Sequence, residues 1–281
     1  MTLSSRRILR IYKSLDAEQI RLVIEEKIEG KHDLQHWLKK LHKLAVMDTL
    51  GDDVREKSRD LLIVFGIFTV FTIFLTVSKP FLFFFPIGFF LLLFYFLIMY
   101  FTLNKIDIGN NLRIFIVPLL ESFNKENMIE DPFYMKMDFS NPKKNKNLVV
   151  QADRGEDKGK IYKHHWMEGS LTYTDQVMIR WQIVDIVKET AKKQAGNAAR
   201  MGFKKNYLII HQLAMDFHIP KNTYEIIIKN EDLVESEDYY ILRLKREDTS
   251  KSLEEGMNPG VFLDAVQEGY TNIKKKKEAG S

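Results

Sequence analysis

Between Leu61 and Leu103 the chain runs through 43 positions whose only formally charged side chain is Lys79. An apolar run of about 18 residues or more is long enough to cross a bilayer as a helix, and this one is long enough to cross twice. Leu61 to Ser78 supplies 18 residues, roughly 27 Å of helix at about 1.5 Å per residue. Pro80 to Leu103 supplies 24, roughly 36 Å by the same rise and more than a hydrocarbon core of about 30 Å. Tilt, or a kink at Pro86 and Gly88, absorbs the excess. The competing reading is a buried hairpin of a soluble core, but core helices seldom carry Phe, Leu and Ile on every face. The stretch is therefore expected to span a membrane.

Lys79-Pro80 marks the turn, since proline suits the first turn of a helix, where its missing donor is not needed. So short a connection makes the two spans antiparallel neighbours. Arg55, Lys57 and Arg59 precede the first span, Lys105 and Arg113 follow the second, and the turn holds one lysine. By the positive-inside rule both termini are expected in the cytoplasm, with a bacterial inner membrane as the expected compartment. The first twenty residues are polar and basic with no apolar core segment, which predicts that no signal peptide precedes the hairpin.

These features define an α+β membrane protein with N-terminal amphipathic helices, a two-helix transmembrane hairpin and a C-terminal, mostly antiparallel β domain. The expected segments are a cytoplasmic helical region over 1–60, the hairpin over 61–103 and a juxtamembrane helix over 104–130. A cytoplasmic β-rich domain follows over 131–257, then a C-terminal helix and basic tail over 258–281. A net charge of +4 suits a protein beside an anionic leaflet and is too weak to argue for nucleic acid. Cysteine is absent, which excludes disulfides, thiolate chemistry and Cys-containing zinc sites.

Residues 1–60 carry helical spacing throughout, with Gly30 and Gly51 as breaks. Ser4 and Ser5 can cap a helix holding Ile8, Leu9, Ile11, Tyr12 and Leu15, and Asp16 can cap one holding Ile20, Val23, Ile24 and Ile28. Asp33 starts the most regular piece, with Leu34, Trp37, Leu38, Leu41, Leu44 and Ala45 on one face and Lys39, Lys40 and Lys43 mostly on the other. A basic amphipathic helix with a tryptophan can lie in a membrane interface, so Trp37, Lys39, Lys40 and Lys43 are candidate interface contacts. Packing of the same stripe against the preceding helix or a partner subunit is preferred, because two other amphipathic helices nearby also need a partner. Asp52 to Asp60 leads into the first span as one long helix. Beyond the hairpin, Asn110 or Asn111 can cap a helix reaching about Asn127, bent at Pro118 and carrying Ile114, Phe115, Val117, Leu119, Leu120 and Phe123.

From Tyr134 the apolar period changes to two. Tyr134–Phe139, Asn147–Ala152 and Lys160–Met167 read as strands separated by polar turns. Leu171, Tyr173, Val177, Ile179, Trp181, Ile183 and Val187 share parity, as a strand or bent strand pair, and so do Tyr207, Ile209, Leu213, Met215, Phe217 and Ile219. Tyr224–Ile228 and Tyr239–Leu244 complete six or seven strands, expected as an antiparallel sheet, sandwich or small barrel. Asn258-Pro259 opens a short capped helix, ahead of the basic run Lys274–Lys277.

Candidate chemistry is sparse. His164 and His165 are adjacent, so on a strand they face opposite ways and cannot share a metal. His211 and His218 lie seven apart with opposite parity, and His32 and His36 lack the glutamate of a His-Glu-x-x-His site. Glycine-rich phosphate loops and the nucleophile elbow are absent, and Gly51-Asp52-Asp53 reads as a helix cap. No cofactor or metal is expected. The segment from Lys188 to Asn206 carries Lys188, Lys192, Lys193, Arg200, Lys204 and Lys205 against Glu189 alone. It reads as a long basic arm, with a helical turn around Ala198, suited to lipid headgroups, nucleic acid or an acidic partner, with a merely solvated loop as the equal alternative.

Within the spans no acid is present, which argues against ion-coupled transport. Thr69, Thr72 and Thr76 share a face and could pack against another helix or line a narrow pore, though threonine more often bonds its own backbone. The expected function is a membrane-anchored interaction or assembly protein without catalytic activity. Its expected partners are the lipid bilayer, anionic lipid among it, and a second copy or another protein. The rival is a subunit of an oligomeric pore whose hairpins line a conduit, and a membrane-tethered enzyme with an unrecognised site stands third.

Overall fold

The computed structural model describes residues 3–79, 84–104, 106–126, 129–154, 157–193, 203–227, 232–252 and 254–276. The expected helix start at Pro80 lies outside them. The chain forms two compact units, Met1–Glu25 with Lys43–Ile108, and Glu26–His42 with Gly109–Ser281.

In the first unit, α1 (Leu3–Lys13) and α2 (Ala17–Glu25) are separated by a reciprocal cap. The Gln19 amide donates to Asp16 Oδ1 at 2.8 Å and the Asp16 amide donates to Gln19 Oε1 at 3.0 Å, which satisfies two helix-end donors at once. Helix α3 (Leu34–Ser78) is continuous over 45 residues and gives its first turns to the second unit. Gly51 does not break it, because a single glycine costs a helix interior only about 1 kcal/mol. Helix α4 (Phe84–Asn104) follows. Both α3 and α4 are long and apolar enough to cross a membrane, and neither apolar window is buried within the protein. They touch through aromatic rings, Phe65 stacked on Phe96 at 5.6 Å and Phe68 on Phe89 at 5.5 Å. The remaining bulk points outward, with Phe74 72% exposed and Leu91 63% exposed. At the base of the pair the Arg55 guanidinium makes two 2.7 Å contacts to Asp107 and a further one to Asp52. Burial alone would lower the Arg55 pKa, but the two carboxylates outweigh it and raise it.

The second unit is built on an eight-stranded antiparallel sheet. Its strands are β1 (Lys27–His32), β2 (Ile129–Asp138), β3 (Leu148–Arg154), β4 (Asp157–Tyr173), β5 (Met178–Lys193), β6 (Phe203–Pro220), β8 (Leu233–Glu235) and β9 (Tyr239–Ser250). They lie in the order β1-β2-β4-β5-β6-β9-β8, with β3 pairing on β4. The short β7 (Tyr224–Ile226) pairs with β10 (Ile273–Lys275) instead. The helical expectation for 1–60 fails at β1. Lys27–His32 pairs along its whole length with Phe133–Asp138, so the partner strand overrides the local helical spacing.

One face of the sheet is covered by α5 (Val117–Glu126) and α6 (Pro259–Thr271). A π-helical turn over Leu112–Ile116 leads into α5, where the Val117 amide donates to the Leu112 carbonyl. The widened turn accommodates Pro118, which has no donor for the next α-helical bond. Helix α6 opens on Asn258, whose side chain accepts the Gly260 amide, with Pro259 following. Phe262 anchors it at the centre of the core, edge-on to Phe115, Phe123 and Trp181. The inward row of β5 and the turn before it, from Val177 to Val187, and that of β6 from Ile209 to Ile219 supply the buried apolar surface beneath.

Candidate functional site

The apolar rows have one interruption each, and the register brings the interruptions together. Asp185 sits in the inward row of β5 between Ile183 and Val187, and His211 in that of β6 between Ile209 and Leu213. The two residues are direct cross-strand partners, and His164 on β4 faces Asp185 from the other side. A register shift between His165 and Met167 allows both Trp166 and Met167 to be buried. His165 points to the opposite face and meets Gln182 at 2.9 Å.

Asp185 Oδ1 accepts the Trp166 indole N–H at 2.9 Å and lies 2.7 Å from His211 Nδ1. A carboxylate only accepts, so Nδ1 carries the hydrogen. His211 Nε2 lies 3.2 Å from the Ser250 hydroxyl on β9. The sequence Asp–His–Ser along this chain of bonds resembles a nucleophile relay. Such a relay needs a hydroxyl open to substrate and donors for the oxyanion. Ser250 is buried, is not among the cavity-lining residues, and also reaches the Ser252 carbonyl at 3.2 Å. The network acts as a polar staple across β4, β5, β6 and β9.

Beside the staple is a cavity of about 70 Å³ whose lining includes Asn111, Asp138, Ser140, His164, Asp185 and His211. The Asp138 carboxylate closes the end of β2. Its Oδ2 meets Lys27 at 3.1 Å and Lys146 at 3.2 Å, while Oδ1 accepts the Ser140 amide at 2.9 Å. Burial alone would push this carboxyl up, but the Ser140 and lysine contacts outweigh it and hold it well below the usual carboxylate range. His164 is 4% exposed, and burial lowers its pKa against the opposing pull of Asp138 and Asp185. Its Nε2 faces Asp138 Oδ1 at 3.6 Å, beyond hydrogen-bond reach. Among the described residues, His164 Nε2 and Asn111 Oδ1 are buried without a hydrogen-bond partner.

The residues singled out from sequence fall elsewhere. The basic arm is a regular two-stranded ladder instead of a loop over most of its length. Lys188, Lys192 and Lys193 lie on β5, Lys204 and Lys205 on β6, and Lys192 pairs with Lys204. Lys205 Nζ reaches Glu189 at 2.8 Å. Arg200 and the expected turn around Ala198 lie outside the described residues. Trp37 is buried, edge-on to the His32 ring at 5.0 Å, so it cannot meet a membrane interface. Lys40 is buried with it, Lys39 is exposed, and Lys43 donates to the Ser14 carbonyl. His32 and His36 stack at 4.2 Å. Thr69, Thr72 and Thr76 each donate to a carbonyl of their own helix, at 2.7, 2.8 and 2.6 Å. The acidic group of Asp48, Asp52 and Asp107 shares its space with Arg55, whose charge already stands where a cation would.

No family model matches the chain, and no curated protein or solved structure matches it either.

Proposed function

We propose that this protein is a membrane-anchored interaction or assembly protein without catalytic activity, held in the bilayer by α3 and α4 as a hairpin with both termini in the cytoplasm. The observation that carries this reading is the outward apolar surface of both helices, none of whose apolar windows is buried. Exposed apolar surface of that extent destabilises a chain in water and is matched by lipid. The lysines and arginines flanking the hairpin support the orientation. An anionic leaflet, a second copy or another protein is the partner class, and a bacterial inner membrane is the compartment. The threonine bonds favour an anchor over a conduit, because hydroxyls committed to their own backbone contribute little to a water-filled lining.

Two measurements test the reading, one of topology in cells and one of flux in liposomes. The chain has no native cysteine, so a single Ser78→Cys should react with an impermeant thiol reagent from outside the cell, and Ser4→Cys should not. The reverse pattern overturns the orientation. Liposomes holding the wild type should show no ion flux above protein-free controls. Flux that disappears on replacing Thr69, Thr72 and Thr76 together with valine would establish the pore in place of the anchor.

A further inference from the structure

The cavity beside Asp138 and His164 holds buried polar atoms that have no hydrogen-bond partner among the described residues. A buried polar group left without a hydrogen bond is costly, and here His164 Nε2 and Asn111 Oδ1 line one small space. Three properties of that space select its occupant. It is rich in acceptors, because Asp138, Asp185 and Asn111 all line it. His164 Nε2 and Asp138 Oδ1 stand 3.6 Å apart, too far to bond each other. That separation is close to the edge of a coordination tetrahedron, about 3.4 Å for bonds of about 2.0–2.1 Å. Finally, a cavity of about 70 Å³ has room for an ion together with water. We propose that this cavity binds one divalent transition-metal ion through His164 Nε2 and Asp138 Oδ1, with Asn111 Oδ1 and water completing the shell.

Position agrees with this assignment. Asp138 turns only Oδ2 to Lys27 and Lys146, while Oδ1 accepts the Ser140 amide and faces His164 Nε2 at 3.6 Å. Its side chain is 16% exposed, so an ion has a way in from the surface. Imidazole with carboxylate and amide oxygen suits zinc, manganese or iron better than calcium or copper(I). Bound there, the ion would tie the end of β2 to the middle of β4.

The test uses the whole chain in nanodiscs with Zn²⁺ and Co²⁺ as probes. Gel-filtered wild type should retain close to one zinc per chain and melt several degrees higher with zinc than with a chelator. The cobalt form should show visible d–d bands and paramagnetically shifted ring signals of His164. His164→Gln and Asp138→Asn should each weaken zinc binding at least ten-fold. Lys146→Gln removes a neighbouring cation and should tighten binding roughly three-fold, a change that damage to the fold would not produce. Zinc that is not retained, unshifted His164 signals, or binding that survives His164→Gln and is lost in His36→Gln would each overturn the site, leaving a cavity filled by water.

Discussion

Asp175 ties two chain segments to one turn. Its Oδ2 accepts the Tyr224 hydroxyl at 2.9 Å and its Oδ1 accepts the Tyr270 hydroxyl at 3.3 Å and the Val177 amide at 3.1 Å. The turn needs this support because Gln176 lies at φ +68°, a conformation unfavourable for a side chain other than glycine. Burial, then the hydrogen bond and charge of Asp175, push the Tyr224 hydroxyl up to about 12. Burial also raises Tyr270, with Asp175 adding to it. The folded state therefore holds these protons after the unfolded chain has begun to lose them near pH 10. Their stabilisation is complete below that pH and is lost as the pH climbs through about 12 for Tyr224. Tyr224→Phe should cost about 1 kcal/mol at neutral pH and flatten the loss of stability between about pH 10 and 12. Denaturant midpoints measured across that range check it, and an unchanged slope would show that Tyr224 does not carry the effect.

At the scale of elements, two glycines predict opposite signs. A Cβ on Gly169 would fall 2.3 Å from the Trp181 ring, its direct partner across β4 and β5. Gly169→Ala should therefore destabilise by about 1–3 kcal/mol through overpacking. Gly51 has nothing within 4 Å of its added Cβ and lies inside α3, so Gly51→Ala should stabilise by about 0.5–1 kcal/mol. Thermal unfolding of the two variants decides both signs. The inward rows of β5 and β6 are readable from alternation alone, because a two-residue period with one buried face leaves little freedom of register. Strand β1 is not readable. Lys27–His32 buries only Ile28, and its strand form comes from β2, far along the chain. The polar staple escapes for a related reason. Asp185 and His211 look like gaps in an apolar row until the register pairs them, though a charged residue on a core-facing parity is itself the signal. The two apolar helices are legible because composition, more than any pattern, sets them apart.

For the whole molecule, the two units share the chain unevenly, since the second takes Glu26–His42 from ahead of the hairpin. A fragment of residues 109–281 should therefore lack β1, uncover the edge of β2 and lose the buried Trp37. Open strand edges recruit other strands, so this fragment should self-associate in sizing chromatography. Linking residues 26–42 to it through a flexible tether should restore a single monodisperse species. A monomeric, folded 109–281 fragment would show that β1 is dispensable.

The pairing of Ile28 with Met137 also sets a clock during synthesis. About 100 residues separate the two strands, which at about 5–20 residues per second is a delay of roughly 5–20 s. In that interval Lys27–His32 has left the ribosome while its partner has not been made, and both apolar helices emerge in between. The segment must reach the end of that wait without joining another strand. Its composition protects it, since four of its six residues, Lys27, Glu29, Lys31 and His32, are charged or ionisable, and charge discourages early pairing. The nascent chain thus carries a reserved edge, closed only when β2 arrives.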